Sequence, residues 1–175
     1  VAEGLLNNST LETVRLPHAD YSSQVDSLFN GLVWKEMLEN NHSLKTLSLS
    51  RSALSTEGFD CLARGLSCNT SLETLDLSST DMGDPSVIAL VDGLRINKTL
   101  KCLDLSINPA LSLSGRAAIE RLIGYNVLRE LSLAGTEDSV GASFLVIGFF
   151  YNNSLEKLDL KGAFVGGEGL ETFLA

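Results

Sequence analysis

The sequence predicts an α/β solenoid in which one strand-and-helix unit repeats six times, with parallel strands along one side and helices along the other. Three observations carry this prediction. The leucine that opens LETLDL at 72–77 has counterparts at Leu11, Leu44, Leu100, Leu128 and Leu155, giving spacings of 33, 28, 28, 28 and 27 residues, and a near-constant period of this size marks a stacked repeat. Leucines at positions one, four and six of the last five units end in the two-residue alternation of a strand, as in Leu72, Leu75 and Leu77. Further on, leucines four apart, Leu62 with Leu66 and Leu90 with Leu94, form one face of a helix.

The elements follow in order. Val1 to Asn8 reads as the end of a helix, because Val1 and Leu5 occupy helix positions of a unit whose strand is absent. Strands are expected at or near 11–16, 44–49, 72–77, 100–105, 128–133 and 155–160. Helices are expected to open at position fifteen, which holds Asn30, Gly58, Ser86, Ser114, Ala142 and Gly169, all small or capping types. The first unit is five residues longer than the others. Aligning backwards from Leu44 sets Trp34 and Leu38 on its helix, so the insertion lies between Ala19 and Asn30. It reads as a longer way into the helix, with a binding protrusion at Tyr21 to Gln24 as the alternative. In the fourth unit Asn108-Pro109 requires the strand to have ended, since proline has no N–H to donate. The apolar run Phe144 to Tyr151 falls where the fifth helix belongs and reads as core. Gly162, Gly166, Gly167 and Gly169 read as tight turns of a descending loop, not as a phosphate loop. The C-terminal unit starts a helix and stops.

With the pattern LxxLxLSxxxL and a helix every 28 residues, the chain resembles the ribonuclease-inhibitor-like subfamily of leucine-rich repeats, also found in RanGAP and in NOD-like receptor sensor domains. The resemblance covers essentially the whole chain. It implies a leucine-rich-repeat solenoid, or horseshoe, with six parallel strands on the concave face and helices on the convex face. Position nine departs from the family, which favours Asn or Cys: it holds Ala19, Ser52, Thr80, Asn108, Thr136 and Ala163. Residues 1–175 are expected to form a single domain and, with both termini falling inside repeats, a fragment of a longer solenoid. Its uncapped ends are then expected to self-associate.

Composition narrows the partner. A formal charge of −9 argues against nucleic acid or an anionic membrane and favours a protein with a basic or mixed-charge surface. No apolar run is long enough for membrane insertion. Cys61, Cys68 and Cys102 fall at unrelated positions, which suggests a reducing, cytoplasmic setting. Asn-x-Ser/Thr sequences at Asn7, Asn8, Asn41, Asn69, Asn97 and Asn152 point the other way. Five of them recur at one turn, however, where a left-handed Asn ending the helix accounts for them.

Catalytic parts are not evident. The only histidines are His18 and His42, and no HExxH, GxSxG or GxxxxGK[ST] pattern occurs, so neither an enzyme nor a cofactor is expected. Cys102, on the outward side of its strand, reads as an ordinary exposed thiol. What remains is the outward face of the strands. Positions three and five there carry Arg15, Ser48, Asp76, Asp104, Glu130, Ser132, Lys157 and Asp159 as candidate partner-binding residues, with Asp76, Asp104, Glu130 and Asp159 forming an acidic cluster. The expected function is a non-catalytic protein-interaction module that binds on its concave face. Alternatives are the regulatory arm of a nucleotide-dependent system, as the NOD-like receptor and RanGAP resemblance implies, and a structural spacer in a large assembly.

Overall fold

Leucine alternation and strand register coincide in the computed structural model, which describes residues 2–21, 27–108, 111–136 and 145–162. The strands are β1 (Thr13–Arg15), β3 (Thr46–Ser48), β5 (Thr74–Asp76), β6 (Cys102–Asp104), β7 (Glu130–Ser132) and β8 (Lys157–Asp159). They pair in that order, all parallel. Each is shorter than the six residues expected. Register aligns positions three, four and five throughout, so Leu47, Leu75, Leu103, Leu131 and Leu158 lie in one row.

The helices are α1 (Ala2–Leu6), α2 (Ser27–Asn40), α3 (Thr56–Cys68), α4 (Asp84–Leu94), α5 (Leu113–Gly124) and α6 (Leu145–Phe150). Helices α3, α4 and α5 begin earlier than position fifteen, because the capping residue sits further upstream. Ser55 Oγ accepts from Gly58 N at 3.1 Å, and Ser112 Oγ accepts from Ser114 N at 3.2 Å. Helix α4 follows Gly83 and has Pro85 in its first turn, where a missing N–H costs nothing. The Asp84 carboxylate accepts both Ser112 N and Ser112 Oγ, tying the start of α4 to that of α5.

Core leucines from both layers meet between sheet and helices. Leu47, Leu49, Leu62, Leu66, Leu72, Leu75, Leu77 and Leu90 are fully buried, each burial being worth about 1.5–3 kcal/mol. Parallel strands lie about 4.8 Å apart, whereas packed helices need about 8–10 Å. A stack of such units therefore bends with the sheet inside. Glycines moderate that bend. A Cβ on Gly93 would stand 2.4 Å from Ala63 O, and one on Gly65 2.9 Å from Leu38 Cβ, so α2, α3 and α4 approach closely through these positions.

Two expectations are corrected. Helix ends at the repeated Asn turn are not left-handed: Asn69 has φ −70° and ψ 136°. Position eight is left-handed in all six units, at His18, Arg51, Ser79, Ile107, Gly135 and Gly162 with φ between 55° and 74°, and Asp81 and Asn126 are left-handed singly, at 54° and 55°. In the first five units the N–H of the position-eight residue donates to the next repeat, as in Arg51 N to Ser78 O at 2.8 Å and Ile107 N to Ala134 O at 2.7 Å. The apolar run Phe144 to Tyr151 is only partly core. Gly148 is buried and Phe149 packs on the core, but Phe150 and Tyr151 are 82% and 75% exposed. The 27-residue spacing explains this: counted back from Asn152, Phe149 matches core residues Leu66 and Leu94, and Phe150 falls one place outside that row.

The insertion in the first unit is partly described. Asp20–Tyr21 forms β2, which pairs in parallel with β4 (Ala53–Leu54) as a small second sheet, and α2 opens at Ser27. Ser22 to Gln24, Pro109, and the turn and helix start at 166–169 lie outside the described residues.

Candidate functional site

The outward rows of β5 to β8 converge on one hollow. Thr74, Cys102, Glu130 and Lys157 occupy position three and Asp76, Asp104, Ser132 and Asp159 position five. Register sets each beside its counterpart, and together they line a hollow of about 320 Å³. The side chains project there because their neighbours Leu75, Leu103 and Leu131 point into the core. Four carboxylates face one ammonium.

Each aspartate also braces its own turn. Asp76 Oδ1 accepts from Ser78 N at 3.0 Å and Ser78 Oγ at 2.7 Å, and Oδ2 from Ser48 Oγ at 2.7 Å. Asp104 Oδ1 accepts from Ser106 N at 2.8 Å, and Asp159 Oδ1 from Lys161 N at 2.9 Å. Glu130 and Lys157 pair across strands at 3.2 Å, an exposed contact of at most about 1 kcal/mol. These carboxylates are thus oriented by the fold, and negative charge persists where Asp76 and Asp104 stand side by side.

Two candidates do not reach the hollow. Ser48 is buried, 6% exposed, because its hydroxyl turns into the Asp76 hydrogen bond, so it acts by positioning that carboxylate. Arg15 is exposed on β1, at the edge of the sheet and away from the hollow. Among the described residues no group of His, Cys, Asp and Glu is placed to hold a metal ion, and no helix is long and apolar enough to cross a membrane. Burial, then the Asp60 carboxylate, pushes the Cys61 thiol above its ordinary pKa, which disfavours the nucleophilic thiolate.

The repeated Asn-x-Ser/Thr turn proves to be a structural spine. Asn69 Oδ1 accepts from Ser71 N and Leu72 N, and its Nδ2 donates to Leu38 O at 2.7 Å in the preceding unit. Asn41 and Asn97 do the same, and all three are at most 4% exposed. A glycan cannot be carried at these three positions in the folded chain. At position nine, Asn108 Nδ2 donates to Leu77 O and Leu105 O, while Thr80 Oγ1 donates to Leu77 O and Ser52 Oγ to Leu16 O. Shorter hydroxyls therefore replace part of the polar ladder.

Sequence reasoning missed a second charged row. Position two carries Glu12, Lys45, Glu73, Lys101, Arg129 and Glu156, just before the strands, where the chain rises from the helix layer. Reading that column as well as three and five would have found it.

A family described as Leucine Rich repeat matches the chain over residues 40–63, 68–91 and 151–174. The fold is a leucine-rich-repeat solenoid. Many solved structures match it, two of them as follows. One, described as leiomodin-1 actin-binding site 2, has a TM-score of 0.65 at 17% identity and covers 99% of this chain and 83% of its own. The other, the tropomodulin C-terminal domain of Caenorhabditis elegans, has a TM-score of 0.61 at 13% identity, covering 98% and 87%. At these identities the likeness is one of leucine-rich-repeat fold. No curated protein matches the sequence significantly.

Proposed function

We propose that this leucine-rich-repeat chain is a non-catalytic protein-interaction module whose partner sets a basic element into the acidic hollow of the inner face. The observation that carries the reading is the convergence of Asp76, Asp104, Glu130 and Asp159 from four strands on one hollow. Parallel pairing holds those strands at fixed spacing, so the charge pattern is rigid and presented without reorganisation. Apolar anchors are few there, so charge governs specificity and association rate more than affinity. The 28-residue spacing and the helical outer layer support placing the repeats in the ribonuclease-inhibitor-like subfamily. Titration with a fluorescent lysine-rich peptide tests the site. Binding is expected to weaken about tenfold in Asp76→Asn with Asp104→Asn and to fall with salt; binding unchanged on both counts would rule the hollow out.

A second reading names a partner. The structural likeness to leiomodin-1 actin-binding site 2 favours actin. Co-sedimentation of the chain with actin filaments checks this, and failure to co-sediment at low salt removes it.

A further inference from the structure

Along the amino-terminal edge of the sheet runs a second, oppositely charged groove of about 550 Å³, lined by Lys45, Glu73, Lys98, Lys101 and Arg129 with the hydroxyl residues between them. Four cations face one carboxylate here, in a chain whose formal charge is −9. Lys45 pairs with Glu73 at 3.3 Å and Arg129 with Glu156 at 3.0 Å. Among the described residues Lys98 and Lys101 make no ion pair, and Lys101 Nζ is held by the Lys98 carbonyl at 3.0 Å. We propose that this groove binds an extended acidic segment of the partner, resting on the reading of the chain as a protein-interaction module.

Size and chemistry select that occupant. From β3 to β7 the groove crosses three strand intervals, about 14 Å. Four or five extended residues cover that length, and alternate side chains on one face reach successive cations. A compact phosphate fits less well. Glu73 stands between Lys45 and Lys101 and would repel a centrally placed dianion, whereas single carboxylates can straddle it. Four backbone amides beside the groove are also engaged and do not turn to a phosphate: Ser71 N and Leu72 N donate to Asn69 Oδ1, and Thr99 N and Leu100 N to Asn97 Oδ1. The lysine and arginine side chains are the charged groups left to read an acidic partner. With an acidic hollow on one side and a basic edge on the other, a mixed-charge partner is oriented across the strands.

Fluorescence anisotropy on the chain, with a glutamate-rich peptide and separately a lysine-rich peptide, tests this. Lys98→Glu with Lys101→Glu is expected to weaken glutamate-peptide binding at least tenfold and leave lysine-peptide binding unchanged. Lys98→Gln with Lys101→Gln should give a smaller loss in the same direction. Glutamate-peptide binding without any lysine-peptide binding would support the groove and overturn only the reading of the hollow. No saturable binding of the glutamate peptide by the wild-type chain at low salt, or no effect of either double variant, would overturn the proposal. So would displacement of the peptide by pyrophosphate at concentrations far below those needed with glutarate, which would assign the groove to phosphate.

Discussion

Ile107 holds a left-handed backbone, φ 55°, that a β-branched residue adopts only at a cost. It does so because its N–H must reach Ala134 O, as its counterparts in other repeats reach theirs. The strain is about 1–2 kcal/mol, and the side chain, 54% exposed, gains little burial in return. Ile107→Asn should therefore stabilise the chain by up to about 1 kcal/mol, seen as a higher midpoint in a denaturant melt; a lower midpoint would show that its packing outweighs the strain. Asn69 is the opposite case. Replacing it by alanine strands the amides of Ser71 and Leu72 and the Leu38 carbonyl. Each buried group left unpaired costs about 1–3 kcal/mol. A melt of Asn69→Ala within about 0.5 kcal/mol of wild type would contradict the spine.

At the level of the element, glycine decides how near the helices come. Gly93→Ala drives a Cβ into Ala63 O, and α3 and α4 must separate. Overpacking of this kind typically costs about 1–3 kcal/mol. Gly124, in the last turn of α5, has no neighbour within 4 Å of where a methyl would stand, so Gly124→Ala should be neutral or stabilising by up to about 1 kcal/mol. Calorimetry on the pair checks the contrast: equal Tm shifts would mean that helix propensity, not helix approach, controls both. The strands show a complementary economy. Three residues suffice for each because hydrogen bonds continue past both ends, as in Leu77 N to Asp104 O and Lys101 N to Glu73 O.

For the whole molecule, burial varies along the stack. Leu75 and Leu103 are at most 2% exposed between repeats on both sides, whereas Leu155, Leu158 and Leu160 are only partly buried and Leu11 is 45% exposed. Leu75→Ala or Leu103→Ala should each cost about 2–5 kcal/mol. A solenoid's stability is close to a sum of nearest-neighbour interfaces, so hydrogen exchange should be slowest in β5 and β6 and faster in β1 and β8. Uniform protection in a dilute monomer would show that the outer repeats are as well supported as the middle ones.

The period, the strand register, the inward leucines and the acidic row were all legible in the chain, because each depends on spacing within a repeat. Stacking turns one spacing into one row. What only the tertiary structure decided is how neighbouring repeats divide their polar groups. The Asn turn looked like a left-handed helix end, since the side chain's carbonyl partners lie in another unit some thirty residues away. The true left-handed position carries His, Arg, Ser and Ile in four of six repeats, so no glycine signal marked it. Ser48 and Asp76 looked equivalent as outward polar residues until their hydrogen bond buried one and oriented the other. The basic groove is divided between the two: Lys45, Lys101 and Arg129 share position two and were legible as a column, whereas Lys98, from the preceding turn, joins them only when the repeats stack.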